Sequence, residues 1–322
     1  LDKKYIDFDE PFDMENEPLL PDDMFPIFAT RVGEKLTGKT KVAFINENVR
    51  WMLSAILHGE QGALSLSASL CHILRDPGAQ EYAANQAREE ARHVAAFTKY
   101  VHARWGTPLP VGPTLGNLLT EMVNAPEVYK KIVGMQMLVE GLAMGAFATM
   151  FNKARDPLLV KLMQLVMTDE AFHHKFGKIW ADRTIPKLSA DEQNIIEDWA
   201  AHCFQTLLFN LINPEQMKDV FAKFGIDWQD AQAALVEAIT DDERRERMRE
   251  SSDIFRVLIK TLLKAGIITD RTRAVYQAWV DMDELAREHD EVAGTEIAAR
   301  AIEELRGINR DRQRMGSHFR PH

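Results

Sequence analysis

The feature that most constrains this chain is an acid-Glu-x-x-His phrase written twice inside long helical stretches. The first is Glu89-Glu90-Ala91-Arg92-His93 and the second Asp169-Glu170-Ala171-Phe172-His173. Residues three apart lie on one face of a helix, so Glu90 can reach the same point as His93, and Glu170 the same point as His173. One such pair arises by chance on any amphipathic helix, where it usually faces water. Two further glutamates make chance a poor explanation. Glu60 in "AILHGEQGALSL" and Glu140 in "GMQMLVEGLAMGAF" sit among small and apolar residues that leave no room for a solvated face. Buried carboxylates are costly unless they are paired or bind metal. Glu60 to Glu90 and Glu140 to Glu170 are each thirty residues, and the whole set repeats at an offset of eighty.

The periodicity predicts an all-α fold. Apolar residues recur at three and four from about residue 41, and prolines and glycines fall between the long segments. Helices are expected over 41–75, closed by Asp76-Pro77-Gly78, then over about 79–105, 126–152 and 158–183. From the turn near Pro77, Glu60 lies about 25 Å back and Glu90 about 20 Å forward at ~1.5 Å per residue, so antiparallel helices bring them level. The same holds for Glu140 and Glu170 around Pro157. Four glutamates and two histidines then converge: one Glu from each of two helices, Glu-x-x-His from each of the other two. This is the ligand set of ferritin-like di-iron and di-manganese carboxylate bundles. The competing reading is six surface charges. Oxygen and imidazole donors without thiolate suit iron or manganese, and two histidines with four carboxylates exceed what one tetrahedral zinc needs.

The expected organisation is an N-terminal arm over 1–40, a ferritin-like four-helix bundle over 41–185, and additional helices over 186–322 packed on it as part of the same domain. "DEQNIIEDWAAHCFQTLLFNLI", "RMRESSDIFRVLIKTLLKAG" and "TRAVYQAWVDMDELAREH" read as helices without evident chemistry. The basic ending "RGINRDRQRMGSHFRPH" is expected to be a solvated tail. A net charge of −10 and pI near 5.5 argue against nucleic acid as a partner. The two cysteines, Cys71 and Cys203, show no Cys-x-x-Cys spacing. With no apolar run near about 18 residues and an acidic opening, no membrane span or export signal is expected, and the chain reads as cytoplasmic.

Around the six candidate ligands, Glu89 and Asp169 are candidates to hold the second ring N–H of a ligating histidine. His58 and His174 neighbour ligands in sequence but point off their face, as packing or surface residues. Phe97, Ala63 and Met144 are candidates for the wall of a substrate pocket, where small or apolar surface leaves room for dioxygen and an apolar substrate.

Over about residues 45–180 the sequence resembles the ferritin-like carboxylate-bridged di-iron superfamily, particularly the branch with ribonucleotide reductase small subunits, ligand-binding oxidases and bacterial multicomponent monooxygenases. "EEARH" is similar to the acid-Glu-x-Arg-His phrase of the monooxygenases, whereas "DEAFH" has Phe172 where Arg is common; "LVEGLA" and "EEARHVAAF" look like segments of the ligand-binding oxidases. The resemblance implies that Glu60, Glu90, His93, Glu140, Glu170 and His173 ligate two iron ions, or a manganese and iron pair. It implies that Asp169 and Glu89 orient His93 and His173 across the bundle, and that dioxygen is reductively activated to oxidise a substrate or a protein side chain. Four positions depart from the relatives. Phe97 replaces the tyrosine of a radical-forming reductase subunit, Ala63 and Met135 stand where the oxidases carry a cross-linked Val and Tyr, and Met144 replaces a monooxygenase Thr. The expected function is therefore a dinuclear oxidase or oxygenase acting on an apolar or aromatic small molecule or an acyl group, with an electron donor and, by analogy, a homodimer. A radical-generating subunit and a ferroxidase remain the alternatives.

Overall fold

The computed structural model describes residues 5–238, 253–287 and 295–317, and no strand occurs among them. Four long helices form the centre: α1 (Gly38–Ile73), α2 (Pro77–Trp105), α4 (Val128–Lys153) and α5 (Pro157–Thr184). α1 packs along α2 and α4 along α5, each pair joined by a short turn. Both turns use the same chemistry eighty residues apart. Asp76 accepts a hydrogen bond from the Ala79 N–H at 2.8 Å, Asp156 accepts one from Leu158 N–H at 3.0 Å, and Pro77 and Pro157 occupy the first helical position. An N-cap carboxylate satisfies an orphan donor, and a proline there lacks only an N–H the helix would leave unpaired.

The two caps differ in depth. Asp76 is exposed, while Asp156 is fully buried and also receives Tyr100 Oη at 2.7 Å and the Arg104 Nε and Nη2 at 2.7 and 3.0 Å. The second turn is thereby tied to the far end of α2.

Buried side chains fall into two large apolar clusters on either side of the central charges. One gathers Leu53, Leu57, Phe97, Tyr100, Met144, Phe147 and Leu162 with Leu19 and Leu20 of the N-terminal segment. Asn46 clamps that segment, accepting from Leu19 N–H at 2.8 Å and donating to Met14 O and Glu17 O. The other gathers Ala63, Leu66, Leu119, Met122, Val133 and Met137 with the later helices α6 (Ala190–Ile212) and α9 (Asp253–Lys264). The short α7 (Lys218–Lys223) and α8 (Trp228–Ala238) close a third cluster, in which Phe28, Phe221 and Phe224 surround Phe44. α9 lies on α4, and α12 (Thr295–Ser317) lies on α5.

Four sequence expectations need correction. The sequence reading places no helix between about residues 105 and 126, yet α3 (Pro113–Asn124) forms there, because Pro113 can open a helix as readily as a proline ends one. "TRAVYQAWVDMDELAREH" is two short helices, α10 (Arg273–Gln277) and α11 (Met282–Arg287), since Asp281 accepts from the Asp283 and Glu284 N–H groups and caps a new start. α4 is wider than α-helical over Ile132–Val139, where it winds as a π-helix immediately before Glu140. α4 is also apolar enough to cross a membrane, contrary to the expected absence of such a run, but 72% of its apolar window is buried inside the bundle. It is the central core helix. The end of the basic tail, beyond residue 317, lies outside the described residues.

Candidate metal centre

The four central helices deliver Glu60 from α1, Glu90 and His93 from α2, Glu140 from α4 and Glu170 and His173 from α5 to one place, all buried. Ligand atoms of Glu60, Glu90, His93 and Glu170 lie within 4.8 Å of one another, and so do those of Glu90, Glu140, Glu170 and His173. Glu90 and Glu170 belong to both groups. The arrangement is therefore two adjacent groups of four candidate ligands that share two carboxylates, each with its own histidine and one further glutamate.

Both imidazoles turn Nδ1 inward. His93 Nδ1 lies 3.3 Å from Glu60 Oε2, 3.2 Å from Glu90 Oε2 and 2.9 Å from Glu170 Oε1. His173 Nδ1 lies 3.0 Å from Glu170 Oε2 and 3.1 Å from Glu90 Oε1. The outward nitrogens cross between the helix pairs: His93 Nε2 is 3.1 Å from Asp169 Oδ2, and His173 Nε2 is 3.0 Å from Glu89 Oε2. Each acid sits one residue before a glutamate of the cluster on one helix and holds the histidine of the other. Arg92 Nη2 binds Asp169 at 2.8 Å and lies 3.8 Å from Glu89. One guanidinium thus serves both acids, and Phe172, at the equivalent place on α5, is 58% exposed with no such task.

The donor set fits a pair of divalent ions. One ring nitrogen carries at most one proton, yet three carboxylates crowd His93 Nδ1, and Glu170 Oε1 is buried without accepting a hydrogen bond although that nitrogen is close. A cation at each inward nitrogen gives these oxygens a partner. Four ionised glutamates carry −4, which two divalent cations neutralise. Without metal, burial raises Glu60 and Glu140 well above the ordinary carboxylate range. Burial also opposes the charged forms of Glu90 and Glu170, but contacts with the two histidines outweigh it, leaving Glu90 lowered to about 2 and Glu170 well below its usual range. For the histidines burial is outweighed in turn, by Glu60 and Asp169 at His93 and by Glu170 and Glu89 at His173, so both are raised well above the ordinary value. The metal-free centre stores protons where metal would sit.

Two residues that the sequence reading passed over complete the surroundings. Gln86, one turn before Glu90, donates from Nε2 to Glu90 Oε1 and Glu140 Oε1, each at 3.0 Å. Gln136, in the π-helical stretch of α4, donates from Nε2 to Gln86 Oε1 at 2.9 Å. Only the i−4 spacing of Gln86 from Glu90 could have signalled this.

The three residues expected to wall a substrate pocket fall in two core clusters. Phe97 stacks on Phe147 with centroids 5.8 Å apart and shares a core cluster with Met144, whereas Ala63 belongs to the opposite cluster. An open cavity of about 500 Å³ lies between α1 and α3, lined by His58, Gln61, Gly62, Pro113, Asn117 and Thr120 among others. His58 contacts Gln61 and the Leu109 carbonyl there, off the ligand cluster, and the side chain of His174 lies outside the described residues.

No curated protein matches the chain. The model of the p-aminobenzoate N-oxygenase AurF family matches it over residues 3–262, which covers all four central helices and most of the layers on them. With that extent of match and a buried carboxylate–histidine cluster suited to two ions, the chain belongs to the AurF family of ferritin-like di-iron oxygenases.

Proposed function

We propose that Glu60, Glu90, His93, Glu140, Glu170 and His173 hold the two iron ions of this oxygenase and that its substrate is an aromatic small molecule oxidised at an amine nitrogen. The observation that carries the ligand roles is the pair of overlapping four-ligand groups sharing Glu90 and Glu170. The substrate class follows the family's description as an N-oxygenase of p-aminobenzoate.

The iron pair, when bound, supplies reductive activation of dioxygen. The chain's own residues set the conditions. Asp169 and Glu89 keep the histidine protons on Nε2, leaving Nδ1 free as a donor, the usual work of a carboxylate behind a ligating imidazole. Phe97, Phe147 and Met144 close one side of the cluster with apolar surface that excludes water. Oxygenation of an amine to a hydroxylamine consumes one dioxygen, two protons and two electrons and yields one water. The balance calls for a two-electron reductant, so an external electron donor belongs to the proposal.

A homodimer and a cytoplasmic location are further parts of it. α6 presents exposed Ile195, Phe209, Leu211 and Ile212, apolar surface available for a second copy, and Cys71 and Cys203 are free thiols, as suits a reducing compartment. Light scattering of the purified chain tests the dimer.

Elemental analysis after anaerobic ferrous loading, followed by optical spectra on exposure to oxygen, tests the centre. About two iron ions per chain, near-ultraviolet absorption that appears with oxygen and is lost in Glu140→Ala, and oxygen uptake driven by aromatic amines are expected. Failure to retain iron would remove the ligand assignment; retention without amine-dependent uptake would remove the substrate class alone.

A further inference from the structure

The duplication makes the two halves of the centre comparable position by position, and they are not equal. On the Glu140–His173 half, Gln86 donates to the terminal Glu140 and the shared Glu90. The position eighty residues on, one turn before Glu170, is Val166, buried and unable to donate. Gln136 likewise corresponds to Ile56. Glu60 has its hydrogen-bond contact with His93 Nδ1, a nitrogen that carries no proton once it ligates metal. In the loaded centre Glu140 therefore keeps a hydrogen-bond donor and Glu60 loses one.

The orientation of the two amides is fixed by this surrounding rather than by choice. Gln86 faces two carboxylates, so its NH₂ must point to them and its carbonyl to Gln136. Gln136 must then give its own NH₂ to that carbonyl, which leaves its Oε1 outermost, and that oxygen is buried and unpartnered. The order therefore runs outward from the carboxylates: Glu90 and Glu140 fix Gln86, and Gln86 fixes Gln136 in the π-helical stretch.

We propose that Gln86, backed by Gln136, is a positioning residue that makes the two metal positions unequal. The Glu140–His173 position is pinned and fills first and tightest. The Glu60–His93 position is the looser one, where ligand shifts and metal exchange occur. The inference rests on the ligand roles proposed above.

The test is anaerobic calorimetric titration of the full chain with ferrous ion, with Co²⁺ optical spectra at one equivalent as a second readout. Wild type is expected to bind in two steps of one ion each, the first at least about tenfold tighter. Gln86→Leu is expected to weaken the first step by about 10- to 100-fold, the usual effect of removing a partner of a ligand, and to leave the second in place. It is also expected to change the one-equivalent cobalt spectrum. Val166→Gln, which supplies the missing amide, is expected to tighten the second step. Two equal steps in wild type, or variants that leave the ratio of the steps unchanged, would overturn the proposal while leaving the dinuclear centre intact. If Gln86→Leu does not fold, Val166→Gln and Gln136→Leu decide the matter alone. A wild type that binds no ion overturns the ligand roles and this inference together.

Discussion

The α1–α2 pair and the α4–α5 pair start from the same plan and end with different surroundings. Both carry a glutamate, an Asp-Pro turn and a Glu-x-x-His phrase at matching positions, and both send an acid across to the other's histidine. Around that shared set the pairs diverge. Phe97 on α2 fills space against Phe147, whereas its counterpart Gly177 on α5 is bare, because the π-helical stretch of α4 comes so near that an added Cβ would stand 2.8 Å from Met137 Cγ. Arg92 serves both acids and Phe172 neither. The comparison teaches that the groups facing the cluster match between the two halves while the positions one step behind them differ, and the difference lies mostly in how tightly each pair is braced.

The comparison breaks most visibly at the shared carboxylates. Glu90→Ala or Glu170→Ala is expected to cost both ions, whereas Glu60→Ala costs the ion on its own side; metal counts per chain that fall equally in all three variants would mean the positions do not share ligands. Next in size is the contrast between the two caps. Asp156→Ala strands the buried Arg104 guanidinium and Tyr100 hydroxyl and is expected to destabilise the fold by about 3–5 kcal/mol. Asp76→Ala removes only an exposed cap, for about 1 kcal/mol. Denaturant melts of the two variants should separate clearly, and equal losses would show that the buried cluster around Asp156 adds nothing.

Glu89→Gln and Asp169→Asn probe the crossed acids. Each is expected to weaken metal binding by about 10- to 100-fold, some 1.4–2.7 kcal/mol, at the position whose histidine it holds. Loss confined to the position on the acid's own helix would reverse the crossing. Proton linkage gives a gentler test. His93 and His173 are raised above their ordinary pKa in the metal-free protein, and only the neutral ring ligates, so protons compete with metal: binding should strengthen as pH rises and weaken as it falls. Titrations in buffers of different ionisation enthalpy should show protons released on loading; uptake of protons would contradict the charged histidines.

The six cluster residues were readable in the sequence because helical periodicity converts a spacing of three into a shared face, and equal helix lengths convert thirty into a shared level. The crossing of Asp169 and Glu89 could be read only through resemblance, since nothing in one helix's spacing says which opposite ring an acid will meet. Gln86 and Gln136 escaped for a different reason. They are neutral, common on helices and fifty residues apart, and the π-helical winding that places Gln136 has no residue signature in "IVGMQMLV". The helix Pro113–Asn124 was hidden by its own prolines, which mark an end and a beginning with the same letter. Nearness to the ligands in sequence nominates Phe97, Ala63 and Met144 alike, and does not say that Ala63 packs in a different core cluster from the other two.

The burial of α4 has a consequence for how the molecule comes into being. Its apolar length is indistinguishable from that of a membrane segment until its neighbours cover it, and α6 and α9, which do so, are made later than α4 as the chain leaves the ribosome. For that interval the growing polypeptide offers a greasy rod carrying a glutamate and a glutamine to any insertion machinery or chaperone nearby. Recovery of active protein is then a race between synthesis of the later layers and capture of the naked helix. Truncations ending after α5 should be lost to aggregates or membranes even though every residue of the oxygen-activating centre is present in them.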